Sequence, residues 1–414
     1  MLKSGNIWRG GLINEYYADL HIQSRYTVGA TKDITVKKLA CQAKSKGLSL
    51  IGTGDCLHPR WREELKKELL YDGKTYMLEN VYFLPTVEIK DKDRVHHLIF
   101  LQTLENFSEL YDKWKKYGKL NKAGVPTIHL DGERIAQDTC KLGGIIGPAH
   151  IFVPWQSLYK SFNSLNECYK SFSNEVKFVE LGLSADSNMA DRIQELTKRV
   201  FLTNSDNHSL YTIGREFNRF LTKEPSFEEI RNALSNKGGR KVTLNVGIDP
   251  REGKYHSSAC AKCYAKYRYE DAKILNWRCE VCGYIIRKGV IDRVEELATY
   301  QKPKHPDFRP PYVKMPSLVE IIKLGYPQLS RSKVLEKKET MVRIFGAEIK
   351  ILLDSDVEDI RKIDESIGEI IKRIKNMELN YVSGGGGKPG IPILGEVKEN
   401  FFIPTQRGLN EWYL

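Results

Sequence analysis

Tyr17-Ala18-Asp19-Leu20-His21-Ile22-Gln23-Ser24 reads as a buried strand that carries an imidazole out at its C-terminal end. The same arrangement recurs through the first 250 residues. Apolar runs at 48–53, 81–87, 97–101, 144–149, 176–181 and 200–203 follow it, separated mostly by helical patterns such as 35–46 and 189–199. Asp55 and His58 come after the second run and Glu88 ends the third. His97 opens the fourth, His150 follows the fifth, and Asp206 and His208 follow the last. Alternation of this kind implies a mostly parallel sheet covered by helices. Functional groups at the C-terminal ends of strands are the placement that parallel α/β barrels use for active sites. His97, at the start of its run, is the exception.

Taken singly, a His or Asp at a strand end is more often a hydrogen-bonded loop residue than a ligand. Recurrence at one structural position overrides that reading. Mixed imidazole and carboxylate donors suit Zn, Mn or Fe better than an all-oxygen Mg cage, and this many donors point to more than one ion. Bridged ions activate water and neutralise charge that builds on a phosphoryl group.

Asp19-Leu-His-Ile-Gln-Ser resembles the first motif, DLHxHS, of the PHP phosphoesterase superfamily, and Ser205-Asp206-Asn-His208 resembles its closing SDxH motif. Glu88, His97 and the His150 of GPAH fall at its intermediate metal positions. The resemblance implies a distorted (β/α)7 barrel with two or three catalytic ions (Zn, Mn or Mg). It places His21, Glu88, His97, His150, Asp206, His208 and His58 as ligands, and Asp206, Asp19 and Asp55 as the catalytic carboxylates. Gln23 stands where the motif has its second histidine.

Cys260-x2-Cys263 and Cys279-x2-Cys282 form two knuckles around one tetrahedral structural zinc, since four thiolates leave no open position for chemistry. Tyr264 and Tyr267 lie among basic residues in this module, a mixture suited to stacking bases and holding phosphates. Residues 251–290 and 302–338 carry charges of +5 and +6, nearly all of the net +12 of the 414-residue chain. A basic field confined in this way fits a polyanion partner.

The chain is long for one core. Its expected division is a catalytic barrel at 1–250, the four-cysteine module at 251–290, a basic, mainly helical domain at 291–405, and a terminal peptide at 406–414. Isoleucines at 360, 363, 367, 370, 371 and 374 give the helical region one apolar stripe across 356–377. The glycine-rich run 383–390 lacks the GxxxxGK[ST] phosphate loop and reads as a mobile loop. Gln406, Leu409, Trp412 and Tyr413 resemble the peptide by which partners bind a sliding clamp. Without a membrane span or a signal-peptide core, the chain is expected in the cytoplasm.

The order of modules, the GTGDxxHP-like second motif and Glu180-Leu-Gly-Leu-Ser-Ala-Asp together resemble the endonuclease Q family of archaeal-type DNA repair nucleases. That resemblance implies cleavage 5′ of deoxyuridine, deoxyinosine or an abasic site, with Ser184 and Asn188 lining the pocket for the extruded nucleotide. Two other classes fit parts of the sequence. One is a PHP phosphatase for a small phosphoester; the other is a non-catalytic, clamp-tethered DNA-binding protein.

Overall fold

The structure, a computed structural model, describes residues 13–122, 125–396 and 401–402. Its barrel strands are β1 (Asn14–Asp19), β2 (Leu50–Gly52), β3 (Val81–Leu84), β4 (Thr86–Lys90), β5 (His96–Phe100), β6 (Ile145–Pro148), β7 (Phe178–Glu180), β8 (Val200–Leu202), β9 (Phe217–Thr222) and β10 (Lys241–Gly247). β1, β2 and β3 are parallel, and β9 and β10 extend this sheet antiparallel from β1. β4, β5 and β6 form a second sheet, and β7 and β8 a parallel pair. The third apolar run is therefore split at Pro85, which has no N–H to give to a ladder.

Single hydrogen bonds and buried asparagines close the seams between sheets. The Ile151 N–H reaches Glu180 O at 3.0 Å, joining the end of β6 to β7. Asn218 donates to Thr203 O at 2.7 Å, and Asn245 to Phe201 O at 2.9 Å. The result is the distorted α/β barrel expected from the sequence.

Side-chain alternation sorts the strands into two faces. Leu50, Leu84, Leu98, Phe100, Ile145, Phe178, Val200 and Leu202 fill the inside. Their neighbours Ile51, Phe83, Ile99, Ile146, Val179 and Phe201 pack outward under the helices. A typical cover helix, Val36–Lys46, starts where the Thr35 hydroxyl accepts the Lys38 N–H and stops at left-handed Gly47. It buries Leu39, Ala40 and Ala43.

β5 is antiparallel to both β4 and β6. Its first residues therefore lie at the same rim as the last residues of β4 and β6, which explains why a histidine opens that run.

Beyond the barrel, Ala259–Cys260 pairs with Ile286–Arg287 around a small core of Tyr267, Ala272, Leu275 and Ile286 in the four-cysteine module. Helix Val290–Leu297 follows it, and the proline-rich segment beyond that helix returns to the barrel. β11 (Tyr312–Lys314) pairs with β10, and buried Arg309 grips the buried Asp191 carboxylate at 2.8 Å through both Nε and Nη2.

Helices Leu318–Gly325, Arg331–Phe345, Val357–Ile363 and Glu365–Lys375 form the C-terminal helical unit. The stripe expected as one helix over 356–377 breaks at Asp364, whose side chain caps the second helix by accepting the Ile367 N–H. Ile367, Ile370, Ile371 and Ile374 remain buried, whereas Ile363 at the break is exposed.

The glycine-rich run is not a free loop. Gly384, Gly387 and Gly390 donate their N–H groups to the carbonyls of Arg251, Lys254 and Glu252. A Cβ at Gly384 or Gly390 would lie 2.3 Å from Gly253 O or 2.1 Å from Arg251 O. Only glycine lets the two backbones come this close. No helix among the described residues is long and apolar enough to cross a membrane.

Candidate metal centre

Strand parity decides which side chains meet inside the barrel mouth. Glu88 faces inward from β4, level with Leu98 of β5. His96, two residues before Leu98, shares that face, and its Nδ1 bonds Glu88 Oε1. His150 Nε2 reaches the same Oε1 at 2.9 Å. The other oxygen, Oε2, lies 3.4 Å from His21 Nε2, which is 3.6 Å from Asp206 Oδ1. Glu88 thus joins two groups of donors, Glu88–His96–His150 and His21–Glu88–Asp206.

Gln23 sits between the donors of the second group. Its Nε2 donates to Glu88 Oε2 at 2.7 Å and to Asp206 Oδ1 at 3.2 Å, and lies 3.2 Å from His21 Nε2. The amide places partial positive charge where acceptors converge.

Glu180, read in the sequence only as part of a motif, orients His21. Both of its oxygens bond His21 Nδ1, at 2.9 and 3.0 Å, and it also accepts the His150 N–H and Asn204 Nδ2. This leaves His21 Nε2 facing Glu88 and Asp206. Glu180 ends β7, so the strand-end rule that found Glu88 would have found it too.

The charges respond to this crowding. Burial opposes a proton on His21, but Glu180, Glu88 and Asp206 hold its imidazole well above the usual histidine range. Burial likewise opposes charge on Glu88, yet His96 and His21 keep it well below the ordinary carboxylate range. Burial opposes charge on Asp206 as well, but His21, His150 and His208 together lower its carboxyl.

Backbone strain accompanies the chemistry. Asp55, His150 and Asp206 all have left-handed backbones, with φ of 46°, 31° and 44°. Such conformations are costly for residues with a Cβ and gather at functional sites. Gly182 makes room for His150, since a Cβ there would lie 2.6 Å from the histidine's own Cβ.

Several expected residues stand elsewhere. His97 points to the outer face, where its ring bonds Asp91 Oδ2 at 3.0 Å and Tyr169 Oη at 2.7 Å. Parity excludes it, and neighbouring His96 takes the inward place. Asp19 is buried but accepts the Ser205 and Gly214 N–H groups at 3.1 and 2.9 Å, so it fixes the loop that carries Asp206. Burial pushes its carboxyl up to about 6. Asp55 accepts from Ser24 and Thr27 and ties down the turn after His21. His58 stacks on Tyr26 with ring centres 4.1 Å apart. His208 is half-exposed beside Asp206, with Nδ1 3.0 Å from the Asp206 carbonyl.

The four cysteines converge: Cys260 and Cys282 Sγ are 3.4 Å apart, and Cys263 and Cys279 Sγ 3.5 Å. Burial raises the Cys260 thiol, but the Lys262 and Cys263 N–H groups outweigh it and bring it down to about 7. Tyr267 is buried in the module core with its hydroxyl 3.1 Å from Cys279 Sγ, so packing, not base contact, explains it. Tyr264 is exposed. Ser184 is buried beneath Gly253, and Asn188 lines a cleft of about 310 Å³ with Asp186, Arg192 and Lys314. Gln406, Leu409, Trp412 and Tyr413 lie outside the described residues.

Residues 317–378 match the family described as the MJ0043 C-terminal domain. The chain is 42% identical over 247 residues to the uncharacterized protein MJ0043 of Methanocaldococcus jannaschii, a match covering 58% of this chain and 31% of that protein. It is 31% identical to the uncharacterized protein YqxK of Bacillus subtilis over 408 residues, 91% of this chain and 99% of that one. Among solved structures it is similar to the lesion-specific endonuclease PfuEndoQ from Pyrococcus furiosus, with a TM-score of 0.88, 43% identity, and coverage of 92% of this chain and 96% of that one. Endonuclease Q in complex with a 27-mer duplex bearing an abasic lesion at the active site matches with the same score and identity, covering 97% of that chain.

Proposed function

The chain belongs to the endonuclease Q family, and on that premise we propose that it is a metal-dependent DNA endonuclease. It cuts the phosphodiester 5′ of a damaged nucleotide (deoxyuridine, deoxyinosine or an abasic site) and leaves a 3′-hydroxyl and a 5′-phosphate. The observation that carries the reading is Glu88, whose two oxygens serve adjacent groups of donors.

These residues fit a pair of cations. The donors are imidazoles and carboxylates, His150 Nδ1 is buried without a hydrogen-bond partner, and the Gln23 amide fills the convergence point with partial positive charge. His21 and Asp206 would hold one ion and His96 and His150 the other, with Glu88 shared between them and His208 beside Asp206. Mixed nitrogen and oxygen donors favour Zn or Mn over Mg. When bound, such ions activate water and stabilise charge on the phosphoryl group.

The chain's own part is positioning. Glu180 fixes the tautomer of His21, Asp19 holds the Asp206 loop, and Asp55 holds the turn that carries Gln23. A structural zinc in the four-cysteine module holds that module together. Since stacking hides the damaged nucleotide, it must leave the duplex, which costs least for a mispaired or missing base; Ser184 and Asn188 are assigned to its pocket. The peptide containing Gln406, Leu409, Trp412 and Tyr413 is assigned to a sliding clamp, and Trp412→Ala should abolish retention on clamp-coated resin.

The deciding experiment incubates the purified protein with Mn or Mg on end-labelled duplexes that carry one deoxyuridine, deoxyinosine, abasic site or normal nucleotide. A single cut 5′ of the lesion, absent from the normal duplex and from Asp206→Ala, is the expected result. Binding without cutting would favour a DNA-binding adaptor, and hydrolysis of small phosphoesters alone would favour a phosphatase.

A further inference from the structure

The two basic stretches of sequence omit a third cationic surface that the fold assembles on the barrel itself. After helix Leu104–Trp114 the chain turns back on itself, with the His129 N–H bonding Tyr117 O at 2.8 Å. Lys115, Lys116, Lys119 and Lys122 then line a cleft of about 570 Å³ together with Tyr117 and His129. No carboxylate among the described residues lines it. Lys115 pairs with Asp112 at 2.7 Å, and Lys116 Nζ lies 5.0 Å from the Tyr117 ring centre. Lys119 and Lys122 are exposed and have no ion pair with a described residue.

The cleft is tied to the metal centre. Lys90 N–H bonds Pro126 O at 3.0 Å and Ile128 N–H bonds Lys90 O at 2.8 Å, so its floor is anchored two residues beyond Glu88 on the same strand. Lys122 and Pro126 also border a small gap whose other walls include Tyr26, Asp55 and His58. Asp55 accepts from the Thr27 hydroxyl at 2.7 Å, and that hydroxyl also lies 2.9 Å from the oxygen of Gln23 in the cluster. A continuous line of side chains thus leads from the cluster, past His58, into the lysines.

We infer that this cleft is a DNA-backbone site that holds phosphates of the duplex flanking the cut, on the side of the centre marked by His58. The inference rests on the nuclease reading and extends it. Lysines scattered on a convex helix need no partner, because water and salt solvate each one. Here four cations share one concave surface, and among the described residues only Lys115 has a carboxylate ion pair, so their mutual repulsion falls when anions enter. A phosphodiester chain supplies anions at the regular spacing that such a row can neutralise, releasing counterions as it binds.

The test measures anisotropy of a labelled abasic-site duplex against salt concentration, on an Asp206→Ala background so that the substrate stays whole. Changing Lys116, Lys119 and Lys122 together to Gln should reduce the slope of log affinity against log salt by about 0.9 for each phosphate that is no longer neutralised, roughly two to three in total. Changing the same three to Arg should preserve the slope. Thermal unfolding of both variants checks that the fold is intact. Equal slopes for the Gln and Arg variants, while the parent binds DNA and native protein cuts it, would overturn the cleft alone. Failure of the native protein to bind or cut any duplex would overturn the nuclease reading, and the cleft with it.

Discussion

Two clusters of imidazole and carboxylate lie back to back across β5, and they have opposite characters. On the inner face Glu88, His96, His150, His21 and Asp206 crowd together with few fixed cations, and His150 Nδ1 has no hydrogen-bond partner. On the outer face Asp91, His97 and Cys168 are as tightly grouped and equally buried. There every capacity is used. Asp91 cannot donate, so His97 Nε2–H donates to it and Nδ1 accepts the Tyr169 hydroxyl. The remaining Asp91 oxygen accepts the Asp93 and Val95 N–H groups, each at 2.8 Å. Residue type alone does not make a metal site; unspent donor capacity and uncompensated charge do.

The largest expected effect breaks the inner cluster at its shared member. Glu88→Gln keeps the shape but removes the charge that both donor groups use, so bound metal and cleavage should be lost together. Removing a residue that only supports a ligand costs about 10- to 100-fold in metal affinity or activity, and the loss here should exceed that range. Glu180→Gln should fall within it. Metal analysis by mass spectrometry beside initial cleavage rates checks both, and metal retained in full by Glu88→Gln would refute the bridging assignment.

The adjacent histidines offer a sharper contrast. His96→Ala should lose catalytic metal and activity at a smaller cost in fold stability, because Glu88 Oε1 keeps its hydrogen bond to His150 Nε2. His97→Ala should leave Asp91 Oδ2 and the Tyr169 hydroxyl buried without partners, at a cost of about 2–5 kcal/mol, while the protein that stays folded still cuts. Urea unfolding, paired with activity per folded molecule, separates the two. Exchange of these phenotypes would mean that the strand parity has been misassigned.

That pair also marks how far the sequence could be read. Barrel, cysteine knuckles and the donors at strand ends are legible because each is a local pattern: an apolar run, a fixed spacing, or a polar residue at its end. His96 and His97 were not separable in this way. Every residue of β5 is buried, so its sequence has no polar alternation to say which face looks inward. Asp19 and Asp55 were overread for a related reason, since a carboxylate that accepts backbone N–H groups looks the same in sequence as one that holds an ion. The glycine-rich run was misjudged because its partners, Arg251, Glu252 and Lys254, lie more than a hundred residues away.

Glu348 extends the comparison to a buried carboxylate whose cations belong to the chain. It joins Lys46 of the barrel and Lys338 of the helical unit, each at 2.7 Å. Burial alone would raise its carboxyl, but the two lysines overcome this and hold it at about 2, against an ordinary 4.5. A depressed folded-state value means stability that is complete above about 4.5 and lost as pH falls towards about 2. The seam between barrel and helical unit should therefore loosen across that interval, by about 2–3 kcal/mol. Hydrogen exchange of helix Leu318–Gly325, whose first N–H also bonds Glu348, is the readout. Unchanged protection between pH 5 and pH 3 would show that the lysines contribute nothing net.

The smallest effect belongs to Cys168, and it tests the outer cluster most directly. If that cluster held an ion, removing its thiolate would lower the metal content and destabilise the protein as a lost ligand does. The hydrogen bonds of His97 and Asp91 argue otherwise, and burial pushes the Cys168 thiol well above its ordinary range, so it stays protonated and behaves as a small apolar group. Cys168→Ala should then cost only about 1 kcal/mol, the transfer free energy of a group this size plus a small cavity. Metal content per chain should be unchanged. A drop of one ion in Cys168→Ala would turn the outer cluster into a metal site and erase the distinction between the two faces.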